Sequence, residues 1–177
     1  MNSTFGQIIR FILFILVQVF VLFEIKPLHQ FIVPYLYFLY LLWLPFNMPR
    51  LGLTFLGFLF GLSLDYFTKT PGLHAAACTL IAYLRPFVIN VLIRQDVEDM
   101  NYKVPSINSM GFAPYMTYAL ILTFIHHSYL IFLEFLQFGS FWYLAGKILA
   151  TTGISMLLIM VTELIFYRKE KFRTNTT

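Results

Sequence analysis

Six apolar runs alternate with short polar breaks along the chain, and the breaks are where Pro, Gly and charge collect. Phe5 to Phe23, Phe31 to Phe46, Leu51 to Phe67, Leu73 to Ile93, Ala113 to Leu136 and Phe141 to Tyr167 are the runs. Most are long enough, at about 1.5 Å rise per residue, to cross a hydrocarbon layer of about 30 Å as helices. The pattern predicts an all-α integral membrane protein with six transmembrane helices in one compact bundle, a single domain over residues 1–177. The first run is too long for a signal-peptide core. Glu24-Ile25-Lys26-Pro27 follows it in place of a small-residue cleavage site, so it reads as a retained anchor. The second is short and aromatic, with Tyr35, Tyr37, Tyr40 and Trp43, Pro34 in its first turn, and Pro45 and Pro49 marking its end.

Composition agrees with the pattern. Apolar residues make up 59% and charged residues 11% of the 177, against about 45–50% and about 25% in soluble domains. The net charge of +4 does not gather on one face with polar readers, which argues against nucleic acid; it follows the membrane instead. With six crossings, one side holds Arg10, Arg50, Arg94, Lys103, Arg168, Lys169, Lys171 and Arg173 and the other only Lys26 and Lys69. Basic residues favour the cytoplasm, so both termini and the 94–111 loop are expected inside and the hairpin from Asp65 to His74 outside. Trp43 and Tyr167 are then expected at the inner interface, and Tyr66, Trp142 and Tyr143 at the outer one. Asp96, Glu98 and Asp99 read as a solvated cluster before they read as a docking site for a basic partner. The one cysteine, Cys78, stands after Ala75-Ala76-Ala77 and reads as a small packing residue.

Ionisable groups inside the apolar runs carry what chemistry there is. Each costs about 2.5–3.5 kcal/mol at mid-membrane, so each needs a partner. Asp65 lies about 3 Å from the end of its run and Arg85 about 18 Å into the next, too far apart in depth to meet. Asp65 is expected to accept backbone N–H groups of the 68–73 turn or of the following helix's N-terminus, with Pro71 in that helix's first turn. Arg85 is left to carbonyls freed by Pro86 or to a hydroxyl such as Tyr118. Depth pairs Glu134 with Lys147, and Glu163 with Arg10 or Arg94. His126 and His127 are adjacent, about 100° apart on a helix, and so badly placed to share a metal; buried hydrogen bonding is the expected role. No catalytic motif, metal set or cofactor site can be assembled.

Gly57 and Gly61 stand four apart, a spacing that lets membrane helices approach closely. Gly61-Leu62-x-x-Asp65, then Pro71-Gly72-Leu73-His74-Ala75 and Ile81-Ala82-Tyr83-Leu84, resemble the central hairpin of the rod shape-determining protein MreD family. The resemblance implies a fold similar to the substrate-binding subunits of energy-coupling-factor transporters. It also implies a non-enzymatic role in the bacterial plasma membrane. Such a protein binds the single-span MreC and works with the actin-like MreB filament, a RodA-type polymerase and a class B penicillin-binding protein in lateral peptidoglycan synthesis. The family motif does not carry over the residues that touch the partner. Gly57, Gly61 and the hairpin of Asp65, Pro71, Gly72 and His74 are the expected contact. Two alternatives make different demands on the fold. A vitamin-binding transporter subunit needs an outward pocket that Asp65, His74, Trp142 and Tyr143 could line, and an intramembrane enzyme needs His126, His127 and Glu134 around one cavity.

Overall fold

The computed structural model describes residues 4–25, 33–93, 104–135 and 141–166. Among these there is no strand, and five helices are long and apolar enough to cross a membrane. In chain order they are α1 (Thr4–Val17) with a π-helical continuation Gln18–Leu22, α3 (Arg50–Thr68), α4 (Leu73–Leu92), α6 (Phe112–Glu134) and α7 (Phe141–Ile165). Two four-residue helices, α2 (Leu39–Leu42) and α5 (Ile107–Met110), complete the order. The surface hydroxyls of Thr54 and Ser63 return to carbonyls one turn back, so α3 leaves no free hydroxyl at those positions.

The tightest contact in the bundle is between α3 and α4, and two glycines set it. A Cβ on Gly61 would stand 2.5 Å from the Ala75 Cα and the His74 carbonyl oxygen, and one on Gly57 2.7 Å from the Ala82 Cβ. The close approach predicted for this pair is made, and it is made by α4 of the same chain. The turn joining the helices needs two left-handed residues: Lys69, φ 57°, closes α3 by donating to the Asp65 carbonyl, and Gly72, φ 89°, precedes α4. Pro71 lies in that turn and not in the first turn of α4, which begins at Leu73.

The second apolar run differs from expectation. Residues 33–36 take no regular secondary structure, turns lie on either side of α2, and no spanning helix forms in the described part of the run. The stretch sits at the centre of the molecule, with Tyr37, Phe38, Leu39 and Leu41 all at 0% exposure. Non-helical backbone is tolerated at membrane depth only inside protein, where other groups satisfy its N–H and C=O. Here two side chains from elsewhere do that. Gln18 accepts from the N–H groups of Leu36 and Tyr37 through Oε1 and donates to the Pro34 carbonyl through Nε2. Arg85 donates to the carbonyls of Leu42, Leu44 and Pro45. The stretch leads from Tyr35, edge-on to His74, to Trp43, whose indole N–H donates to the Tyr115 hydroxyl. Trp43 is therefore a buried core residue, 5% exposed, and not an interface anchor, whereas Tyr66 and Trp142 are more than 80% exposed.

Candidate functional site

Asp65 is the centre of the α3–α4 hairpin. Its last-turn position on α3 aims the carboxylate across the turn at the start of α4, where the first N–H groups of a helix have no partner within it. Oδ2 accepts from the N–H groups of Gly72 and Ala75, both at 3.0 Å, and Oδ1 from the His74 N–H at 2.9 Å. His74 Nδ1 stands 2.9 Å from Oδ1, and the Thr70 hydroxyl donates to the same oxygen at 3.2 Å. The expected capping by Asp65 is observed, and the His74 side chain joins it. Both residues are 3% exposed, while Pro71 and Gly72 are on the surface. Of the six expected contact residues the turn thus brings four together at the hairpin end. Gly57 and Gly61 are spent on packing against α4.

Arg85 is 1% exposed and, among the described residues, pairs with no acid. Nε donates to the Tyr118 hydroxyl at 2.9 Å, as expected, and Tyr118 donates onward to the Leu42 carbonyl. The carbonyls Arg85 serves belong to the end of α2 and the residues that follow it, and not to the turn of α4 that Pro86 opens. A lone cation is held here by carbonyl dipoles, and that same cation holds a non-helical segment in place.

The Glu134–Lys147 pair forms, 2.9 Å between Oε2 and Nζ, with Glu134 at 44% side-chain exposure. Glu163 departs from expectation. Its carboxylate accepts from the Ile107 N–H at 3.3 Å and the Tyr115 hydroxyl at 3.1 Å, and among the described residues no arginine pairs with it. The fold brings the unsatisfied first N–H of α5 to the same depth, and a carboxylate is served as well by N–H and O–H donors as by a guanidinium. Arg94, the other expected partner, lies outside the described residues, as do Asp96, Glu98, Asp99, Lys26, Lys103, Tyr167 and residues 168–173.

His126 and His127 are fully buried and hydrogen-bonded, as their setting predicted. His126 Nε2 lies 2.9 Å from the Tyr37 hydroxyl, the two Nδ1 atoms are 3.1 Å apart, and His127 Nε2 is 2.9 Å from Ser155 Oγ. Phe38 stacks on His126 with centroids 4.7 Å apart. Glu134 is committed to Lys147, so the structure does not gather His126, His127 and Glu134 as one set. Of the four residues that the transporter alternative needs around an outward pocket, two are buried. Asp65 and His74 are closed off, Trp142 is 81% exposed against Phe141, and Tyr143 packs on Phe135.

Gln18, Tyr37, Tyr115 and Ser155 escaped the sequence reading. Gln18 had a visible signal, an amide deep in the first apolar run, eleven residues past Gln7; the other three look like ordinary Tyr and Ser on apolar helices until the fold sets a partner opposite. No family model, no curated protein and no solved structure matches this chain significantly.

Proposed function

We propose that this chain is a non-enzymatic scaffold of the bacterial plasma membrane, similar in kind to the MreD family. On this reading it docks a single-span MreC-type protein within a complex that includes an MreB-type filament, a RodA-type polymerase and a class B penicillin-binding protein. The observation that carries the reading is the hairpin. The residues on which the resemblance rests, Gly61, Asp65, Gly72, His74 and Ala75, form one contact set in which each explains the next. Gly61 lets α4 approach, and the approach puts its N-terminus under the Asp65 carboxylate. The surface offered to a partner is then the tip, Tyr66 and Pro71-Gly72, with Gly57 and Gly61 contributing only by holding the tip's shape.

The same proposal takes six crossings, five as helices and one as the broken stretch 33–49. That stretch starts beside His74, where Phe23 also sits, and its Trp43 reaches Tyr115. An even number of crossings puts both termini on one side, and the eight basic residues against two assign that side to the cytoplasm.

The test is affinity capture of the tagged full chain from native bacterial membrane, with mass spectrometry of what stays bound, comparing wild type with Tyr66→Ala. Recovery of a single-span partner with wall-synthesis enzymes, reduced by the substitution, is the expected result. Recovery of an ATPase pair with its membrane coupling subunit would replace this reading by that of a vitamin-uptake subunit.

A further inference from the structure

Next to the hairpin tip the outer surface of α4 is recessed. Gly72, Ala76, Thr79 and Tyr83 follow one another at intervals of three or four residues, so they share one helix face. The first three are small, and Phe58 of α3 and Tyr129 of α6 line the same recess. Together they form a groove of about 520 Å³. From Gly72 to Tyr83 it runs about 16 Å, three turns of helix at about 1.5 Å per residue. It is open along its length: a Cβ on Gly72 would meet nothing within 4 Å, and Phe58, Tyr83 and Tyr129 are all exposed.

The groove and its upper end ask for different chemistry. Both threonine hydroxyls that line it are used within their own helices, Thr54 donating to the Arg50 carbonyl at 2.8 Å and Thr79 to the Ala75 carbonyl at 2.6 Å. What the recess offers is close approach. Small residues let two helix backbones come together, which drives helix association in a bilayer, where burial of apolar surface alone gives little. At the tip the demand is for charge. Lys69, three residues before Gly72, is exposed and, among the described residues, pairs with no acid. The nearby Asp65 carboxylate is buried and already accepts from the N–H groups of Gly72, His74 and Ala75. Lys69 also closes α3 at φ 57°, a conformation that glycine takes without steric cost and that helix ends commonly give to glycine. A lysine there places a cation at the head of the groove against a backbone cost, and its complement is an anionic group at the same level.

We propose that the groove seats one transmembrane helix of a single-span partner, apolar over about three turns, with an Asp or Glu at the end that meets the hairpin tip and pairs with Lys69. Gly72 belongs both to the tip and to the groove, so the docking surface continues from the tip along the face of α4. The proposal rests on the scaffold reading and adds to it where the partner's helix lies and which charge it carries.

The experiment is photocrosslinking of the full chain in native bacterial membrane, with p-benzoylphenylalanine in place of Phe58 or Tyr83 in the groove, or of Phe132 outside it. All three are exposed aromatic positions, so each exchange leaves the core untouched. Mass spectrometry of the adduct identifies what the groove holds. The expected result is that Phe58 and Tyr83 positions join the same apolar segment of one single-span protein, with an acid at the end nearest the tip, and that the Phe132 position does not. Lys69→Glu should lower that adduct about threefold or more, and exchanging the partner's acid for lysine should restore it. Adducts with lipid alone, with a second copy of this chain or with a multi-span protein overturn the proposal, as does a yield that Lys69→Glu leaves unchanged. Lipid in the groove, with wall-synthesis enzymes still recovered by capture of the wild type, sinks the groove and leaves the scaffold reading standing. A single-span helix paired with Lys69 but unaccompanied by those enzymes does the reverse.

Discussion

The α3–α4 hairpin and the stretch 33–49 solve one problem in opposite ways. Both lie among apolar helices where an unpaired N–H or C=O costs free energy. The hairpin satisfies its backbone locally: two continuous helices, a left-handed turn, and one carboxylate seven to ten residues away on the exposed N–H groups of α4. The central stretch gives up its helix and takes partners from far along the chain, Gln18 at one end and Arg85 at the other. Polar side chains inside a membrane bundle therefore need not mark chemistry. They can stand in for a missing helical hydrogen-bond ladder.

The sharpest way to break that contrast is Arg85→Ala. Buried polar groups left unpaired cost about 1–3 kcal/mol each. Arg85 is the partner of the Leu44 and Pro45 carbonyls, while Leu42 keeps the Tyr118 hydroxyl, so at least about 2 kcal/mol should be lost in reversible unfolding in mixed micelles. An effect under about 1 kcal/mol would mean that the stretch holds itself. Gly61→Leu attacks the other region. The added carbons meet backbone that cannot move aside, and a loss of about 2–3 kcal/mol, the upper range for overpacking, is expected. Gly153→Leu, where nothing lies within 4 Å of the added Cβ, should change stability by less than about 0.5 kcal/mol in the same assay.

Smaller effects sharpen the comparison. Asp65→Asn puts an amide donor against N–H donors, and the hairpin should weaken by about 2 kcal/mol, with faster amide exchange at Gly72 and Ala75 and unchanged exchange at Leu36 and Tyr37. Lys147→Met tests a pair whose acid is 44% exposed. It should cost no more than about 1 kcal/mol by thermal unfolding, well below either region's anchors.

Much of the hairpin was legible because its contacts are short in sequence. The glycine spacing, an acid in the last turn and a Pro-Gly break state the geometry within about twenty residues, and the capping by Asp65 follows from helix-end chemistry. The Glu134–Lys147 pair was legible for a similar reason, since two helices only a few residues apart in sequence share depth at their joined ends. Glu163 was misassigned because charge suggested an arginine, while the fold supplied an N–H and a phenol.

By itself the sequence determined that the chain is α-helical with helices long and apolar enough to cross a membrane, where five of them run, and that its buried acid closes a turn, because hydropathy, period and helix-end rules act over a few residues. Only the tertiary structure decided that residues 33–49 break their helix, that Gln18 and Arg85 replace it, and that Tyr37, His126, His127 and Ser155 form one line. A run of Tyr, Phe, Leu and Trp is as apolar broken as helical. Which it becomes depends on whether donors and acceptors more than fifteen residues away reach its backbone.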